Sequence, residues 1–394
     1  MEHTVSCYDC GATAPLGARK RCPCGEPLWV DIDASGFEWA ETGSVDDMWR
    51  YTEVLPVTEP VGVPPGGTPL SRAERLDEYA GCTLFLKHEG QNPTGSFKDR
   101  GSAVGTAATV ETGRKWIGTV SHGNMALSTS AYAASAGLEC AVFVPADTPP
   151  ARLELIARHD PHIFGVKGDY GRLYADTLSL ETEANFVNSD TPLRVAGQKT
   201  IVYEILEQLA PTAPDAIALP VSSGGQASAV WKAINELRRA GAIDDDEVPR
   251  LYLCQAAACD PIATAYRNDE PEVTPVTAGE TIAVSIANAD PPSGTRALTA
   301  VRDTEGAVVS VPDEAIRDAM DRIATRAGVS VEPSSAVAVA GLRKLSQTDV
   351  IEPSDRVVAI LTGSGYKELS GADIRSRTID LADLERELAS VVDA

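Results

Sequence analysis

The strongest chemical signal is one lysine set in a turn. Lys98 lies in His88-Glu89-Gly90-Gln91-Asn92-Pro93-Thr94-Gly95-Ser96-Phe97-Lys98-Asp99-Arg100-Gly101. Asn92, Pro93 and Gly95 are turn formers, and small residues from Ser102 to Ala108 follow with helical character. Lys98 is therefore expected at a helix start. The macrodipole is positive there and disfavours an ammonium. The position suits a lysine that must be neutral to form a Schiff base with a carbonyl. Taken alone, Ser-Phe-Lys-Asp would be a solvated surface turn.

Three more clusters have spacing that suits chemistry. Ser121-His122-Gly123-Asn124-Met125 is a polar Gly-Asn turn, in which a lone His122 makes no mechanism. Ser222-Ser223-Gly224-Gly225-Gln226 is a Gly-rich turn before a helical stretch. Free N–H groups and the helix dipole could there cradle a phosphate. It is neither G-x-G-x-x-G nor a Walker loop, so a nucleotide is not the expected ligand. Thr362-Gly363-Ser364-Gly365 is a second Gly-paired turn. Together one lysine, one polar turn, one phosphate cradle and one Thr-Gly-x-Gly turn suit a small anionic cofactor with a carbonyl.

A separate cluster is Cys7, Cys10, Cys22 and Cys24, two close pairs each followed by Gly. Four thiolates can close a tetrahedral structural zinc site. The second pair is C-x-C rather than C-x-x-C, and the other outcome is four free thiols on an arm. With no open ligand position and no nearby His, such a metal would be structural. Cys82, Cys140, Cys254 and Cys259 sit in apolar contexts and are expected to be buried thiols.

The elements that must position these clusters alternate. Strands are expected at 83–87, 116–120, 140–145, 163–166, 186–189, 216–221, 251–254, 307–311 and 357–361. Helices are expected at 126–137, 150–160, 170–183, 201–210, 227–239, 314–327 (capped by Asp313) and 336–345. Alternating βαβ order predicts parallel α/β sheets, whose ligand loops lie beyond the carboxyl ends of the strands. All four clusters of the first two paragraphs fall in such loops. Trp39, Met48, Trp49 and Tyr51 are expected to anchor an irregular arm over 31–65.

The chain has 394 residues with a formal net charge of −23, its acids spread along the sequence. That argues against a nucleic-acid partner, which needs a basic face, and against anionic membrane surfaces. No apolar run approaches a membrane span, and no signal peptide is evident, so a cytoplasmic protein is expected. A dispersed acidic surface suits high salt, where self-repulsion is screened.

Several motifs together resemble the threonine synthases, pyridoxal-phosphate enzymes of the tryptophan-synthase-β-like fold (fold-type II). These are the long Lys98 motif, Ser-x-Gly-Asn at 121–124, Asn-Ser-x-x-Pro-x-Arg-x-x-Gly-Gln-Lys-Thr at 188–200, the Gly-Gly loop, Glu-Pro-Ser-Ser-Ala at 332–336, Thr-Gly-x-Gly and the cysteine ribbon. The resemblance implies two three-layer parallel-sheet α/β domains with an N-terminal zinc-ribbon-like segment. It implies a ribbon over 1–30, an arm and the first part of a large cofactor domain over 31–115, a small domain over 116–210 and the rest of the large domain over 211–394. A homodimer acting on a small amino-acid substrate is implied as well.

By the same resemblance Lys98 would hold pyridoxal 5′-phosphate and later move protons. Burial beside a cation such as Arg100 or Lys199 would lower its pKa. Asn124 would bond the cofactor's phenolic oxygen, Ser222, Ser223, Gly224, Gly225 and Gln226 would cradle its phosphate, and Thr362 would face its ring nitrogen. Ser121, Asn188, Ser189 and Arg194 would contact substrate, the last three near its phosphate. The implied reaction is O-phospho-L-homoserine and water to L-threonine and phosphate. Two loops depart from the family pattern: Met125 stands where a hydroxyl is usual, and Ser-Ser-Gly-Gly-Gln replaces Gly-Asn-Gly-Gly-Asn. The alternatives on the same scaffold are a threonine or serine dehydratase and a cysteate-synthase-like β-replacement enzyme. A non-catalytic protein that kept the fold is the alternative outside enzymes.

Overall fold

A computed structural model describes residues 3–39, 46–121, 123–168, 170–178, 180, 182–367 and 376–392. Three sheets organise them. The ribbon is a small antiparallel sheet of β1 (Thr4–Cys7), β2 (Thr13–Pro15) and β3 (Leu28–Val30), in the order β2-β1-β3. The other strands are β4 (Leu70–Arg72), β5 (Thr83–Lys87), β6 (Trp116–Val120), β7 (Glu139–Pro145), β8 (His162–Val166), β9 (Asn185–Phe186), β10 (Ala216–Pro220), β11 (Arg250–Ala256), β12 (Ala307–Val311) and β13 (Arg356–Ile360). They form a six-stranded sheet β12-β11-β10-β13-β5-β4 and a four-stranded sheet β8-β7-β6-β9. Every pairing in these two is parallel except β4 with β5 at the edge.

The larger sheet is covered on both faces, and its strands show why. Ile217, Leu219, Leu251, Leu253, Val358 and Ile360 enter one core, whereas Ala216, Ala218, Tyr252, Cys254, Val357 and Ala359 enter another. Period-two alternation sends each set to its own face. Because both faces need apolar cover, these strands read as continuous apolar runs. In the smaller sheet Ile117, Val142 and Val144 pack on Ala126, Leu127 and Ala133 of the helix Asn124–Ala136.

The arm is anchored as expected. Met48, Trp49 and Tyr51 are buried in the 3-10 helix Met48–Val54. Phe37 and Tyr51 set their rings 5.1 and 5.4 Å from Tyr203, and Trp39 Nε1 donates to the Ala242 carbonyl. Cys82, Cys140, Cys254 and Cys259 are buried thiols. No helix among the described residues is long and apolar enough to cross a membrane.

Three expectations need correction. The strand at 186–189 pairs only over Asn185–Phe186, because the Asn188 side chain turns back to bond the Val120 amide. A helix Pro192–Gln198 was not foreseen; its Pro-Leu-Arg-Val-Ala-Gly-Gln stretch is too short for a periodic signal, although Pro at the first turn is a start mark. Asp313 does not cap its helix. It is the first helical residue, and its carboxylate accepts from Thr281 Oγ1 and the Ile282 N–H, tying a distant loop to the helix start.

The unforeseen helix matters because it crosses the one that begins at Lys98. A Cβ on Gly101 would lie 2.4 Å from Arg194 Cγ, and one on Gly197 would lie 2.1 Å from the Arg100 carbonyl oxygen. Both glycines are required by that close approach.

Candidate active site

Lys98 opens the helix Lys98–Glu111, and no side chain caps that helix. The preceding strand β5 and the 3-10 turn Glu89–Gln91 deliver it. A wholly buried ion network holds this delivery. Arg100 is bidentate to Glu89 (2.8 and 2.7 Å) and reaches both oxygens of Glu204 (2.6 and 2.8 Å). Lys87 Nζ closes it on Glu204 at 2.7 Å and on the Thr68 carbonyl. All four side chains are fully buried. Removing one partner would leave an uncompensated charge, at about 3–5 kcal/mol.

The Lys98 amine itself is left without an acid within ion-pair distance among the described residues; Nζ lies 4.3 Å from the Phe97 ring centroid. Its pKa is pushed down to about 7, first by burial and then by the Arg194 guanidinium, against the opposing Glu332 carboxylate. This corrects the identity of the cationic neighbour. Arg100 is neutralised by Glu89 and Glu204, and Lys199 is paired with Glu236.

Arg194 is the larger correction. Its side chain is fully buried. Nε and Nη2 donate to the Val187 carbonyl, Nη1 to the Lys98 carbonyl and Ser102 Oγ, and Nη2 to Thr129 Oγ1. Its five N–H groups are thus committed to neutral protein oxygens, and no fork is presented to a substrate phosphate. Burial without an acid at contact pulls its own pKa down to about 9. Asn188 is likewise committed: Oδ1 accepts from the Val120 N–H and Nδ2 donates to Thr177 Oγ1, with the side chain buried. Ser189 is half-exposed, and its carbonyl lies against Gly225.

Three of the four loops are joined by direct contacts, and the fourth, Ser222–Gln226, follows β10, the parallel neighbour of β13. The Phe97 N–H donates to the Thr362 carbonyl at 3.0 Å, and Ser96 bridges to Gly363. Thr362 Oγ1 lies 2.9 Å from Ser335 Oγ, which also accepts the Gly363 N–H. Asn124, at the start of its helix, donates from Nδ2 to both oxygens of Glu332 at 2.9 Å, and Oδ1 accepts from Lys367 Nζ at 2.5 Å. Lys367 also pairs with Glu332 at 2.9 Å. Ser121 Oγ accepts the Gly123 N–H, and Met125 is buried. His122 lies outside the described residues. Glu332 and Lys367 were not among the expected site residues, yet both contact Asn124. The signals were present: Glu332 precedes a Pro at a helix start, and Lys367 lies two residues past the Thr-Gly-x-Gly turn.

The cradle follows β10. Gly224 has φ +84° and stands just before the helix Gly225–Ala240, which no side chain caps. The first amides of such a helix have no partner within it. A Cβ on Gly224 would lie 2.3 Å from the Ser293 carbonyl oxygen, and one on Gly225 would lie 2.3 Å from that of Ser189. Ser222 and Ser223 are half-exposed, and Gln226 Nε2 is buried without a partner. Far from this loop in sequence, the Sγ atoms of Cys7, Cys10, Cys22 and Cys24 all lie within 4.8 Å of one another.

The family model described as pyridoxal-phosphate dependent enzyme matches residues 63–363. A threonine synthase of Methanocaldococcus jannaschii is 37% identical over 381 residues, 93% of each chain. One of Methanosarcina acetivorans is 38% identical over 326 residues, 82% of this chain and 80% of the relative. Among solved structures, maize serine racemase superposes with a TM-score of 0.65 at 25% identity, covering 83% of this chain and 92% of that one. Threonine deaminase isoform 2 of Solanum lycopersicum gives 0.64 at 20% identity, over 88% and 94%, a likeness of fold alone.

Proposed function

This chain belongs to the pyridoxal-phosphate-dependent enzyme family and, within it, to the threonine synthases, and from that premise we propose that it converts O-phospho-L-homoserine and water to L-threonine and phosphate. The observation that carries this is Lys98: a buried amine with no acid within ion-pair distance among the described residues, its pKa lowered to about 7, beside the Thr362-Gly363 turn. The residues fit pyridoxal phosphate. An uncapped helix start at Gly225 suits its phosphate, and the unpartnered Gln226 Nε2 is a donor beside it.

When bound, the cofactor supplies an electron sink that acidifies the substrate's α- and β-carbons. Lys98 Nζ would hold the cofactor, and its amine is the base placed to take and return the protons that loss of phosphate from the γ-carbon and addition of water at the β-carbon require. Ser222, Ser223, Gly224, Gly225 and Gln226 would hold the cofactor phosphate. Asn124 would reach the phenolic oxygen by releasing Glu332, to which its Nδ2 donates, and the ring nitrogen would fall to Thr362. Its neutral hydroxyl, bonded to Ser335, makes a milder sink than a carboxylate would. Ser121 and Ser189 contact the substrate. Arg194, committed to protein oxygens, positions Lys98 through its carbonyl and adds its field to burial in lowering the amine's pKa.

The protein works as a homodimer in the cytoplasm. The exposed apolar stripe Leu384, Leu388 and Val391 on the C-terminal helix supports a self-contact, which light scattering after gel filtration checks. The decisive assay compares phosphate released from phosphohomoserine with ammonia released from threonine and serine, with pyridoxal phosphate in high salt. Phosphate release should dominate; faster ammonia release would make the chain a dehydratase instead.

A further inference from the structure

The catalytic chemistry uses nothing from the ribbon, yet the ribbon is built around four converging sulfurs and docks beside the cofactor cradle. Sγ of Cys7 lies 3.6 Å from that of Cys24, and Sγ of Cys10 lies 3.4 Å from Cys22 and 3.7 Å from Cys24. A disulfide would need about 2.05 Å. Four thiolates at about 2.3 Å from one zinc ion would stand about 3.8 Å apart along the tetrahedral edges. The two loops that carry them close in the same manner, the second one residue shorter. The Cys7 N–H donates to Ala12 O while Gly11 N–H returns to Cys7 O; the Cys22 N–H donates to Glu26 O while Gly25 N–H returns to Cys22 O. Gly11 and Gly25 have φ of +70° and +98° to make those turns. The C-x-C pair therefore closes as well as a C-x-x-C pair does.

Between the two knuckles' sulfurs and the body stands Arg21, next to Cys22. Its guanidinium donates to Asp190 Oδ2 at 2.6 Å, to Tyr174 OH and to the Pro292 carbonyl. Buried Asp190 is a hub: it also accepts from Tyr174 OH and from Ser293 Oγ. The Ser293 N–H donates to the Ser223 carbonyl at 2.9 Å, and the Ser293 carbonyl is the group that presses on Gly224. Asp190 follows Ser189, whose carbonyl presses on Gly225. Arg296 ties the same Ser293 to the Pro27 and Leu28 carbonyls of the ribbon.

We propose that Cys7, Cys10, Cys22 and Cys24 bind one zinc ion, and that the metal-closed ribbon holds the pyridoxal phosphate cradle in shape through Arg21, Asp190 and Ser293. The metal is structural, with no open position, and its effect on the active site is on cofactor affinity. The second half rests on the pyridoxal phosphate assignment of the cradle; the first half does not.

Two measurements test this on the full-length protein. Elemental analysis after dialysis should find about one zinc per chain, lost in Cys24→Ser. Zinc content near zero after expression with zinc, or disulfides among these four cysteines by mass spectrometry, would overturn the metal site whatever the enzyme does. Pyridoxal phosphate titration followed by fluorescence should show weaker binding once zinc is stripped, reversed by adding zinc back. Arg21→Ala keeps all four ligands, so it should retain zinc while raising the cofactor Kd at least about tenfold. Retained zinc with an unchanged Kd in that variant would overturn the coupling and leave the reaction assignment untouched.

Discussion

Lys98 and Arg194 form one unit. Lys98 must be uncharged to react, and a lysine in water near neutrality is charged. Burial and the Arg194 field bring its pKa to about 7, with Glu332 opposing. Below that pH the amine is protonated and cannot attack a carbonyl, so capture of pyridoxal phosphate by the apo-protein should speed up as pH rises through about 7 and then level off. Replacing Arg194 with Gln removes a neighbouring positive charge. The capture profile should then move to higher pH by about one pH unit or more; a profile that stays put would mean burial alone sets the amine. Lys98→Ala should abolish the visible absorbance band of the holo-protein and its phosphate release, and a band that survived would place the cofactor on another residue. The Lys98 motif was fully legible in sequence. The commitment of Arg194 was not, because an Arg within a phosphate-enzyme motif and an Arg spent on carbonyls read identically until its neighbours are known.

At the scale of elements, two glycine positions decide the geometry. The cradle needs Gly224 at φ +84°, with the Ser293 carbonyl oxygen 2.3 Å from where a Cβ would stand. Gly224→Ala should therefore cost about 1–3 kcal/mol in stability and weaken cofactor binding, measured by chemical denaturation and by titration. An unchanged cofactor Kd would show that the cradle tolerates the shift. The Lys98 and Arg194 helices approach through Gly101 and Gly197, so Gly197→Ala overpacks a contact with main chain and should destabilise by about 1–3 kcal/mol or more. Most strands and helices were legible because a buried parallel strand and a small-residue helix are both continuous apolar signals bounded by turn residues. The strands β1, β2, β3 and β4, of three or four residues, and the seven-residue helix Pro192–Gln198 fall below the length at which a period can be recognised.

Charge dominates the behaviour of the whole molecule. A net charge of −23 is dispersed over the chain, and the basic groups that might balance it are partly withdrawn: Arg100, Arg194, Arg296, Lys87 and Lys199 are buried. Buried acids match them, namely Glu89, Asp99, Asp190, Glu204, Glu236 and Glu332 against these five and Lys232, so the acidic excess of the chain stays on its surface. Raising KCl from about 0.1 M to about 1 M shortens the Debye length from about 10 Å to about 3 Å. The melting temperature should rise over that range, and a flat or falling trend would argue against adaptation to high salt.

By itself the sequence determined the alternation of strands and helices and marked Lys98, four candidate ligand loops and two close cysteine pairs. These are carried by local spacing, turn chemistry and residue type, all of which act within a few residues. Only the tertiary structure decided which cation lies by Lys98, that Asn188 and Arg194 bond protein groups, that Glu332 and Lys367 join Asn124, and that the ribbon reaches the Gly224 loop through Asp190. Those outcomes depend on which donors and acceptors meet once residues up to 271 positions apart, as Arg21 and Pro292 are, are packed together. A buried polar group takes whatever partner the fold brings within about 3 Å, and spacing along the chain carries no record of that.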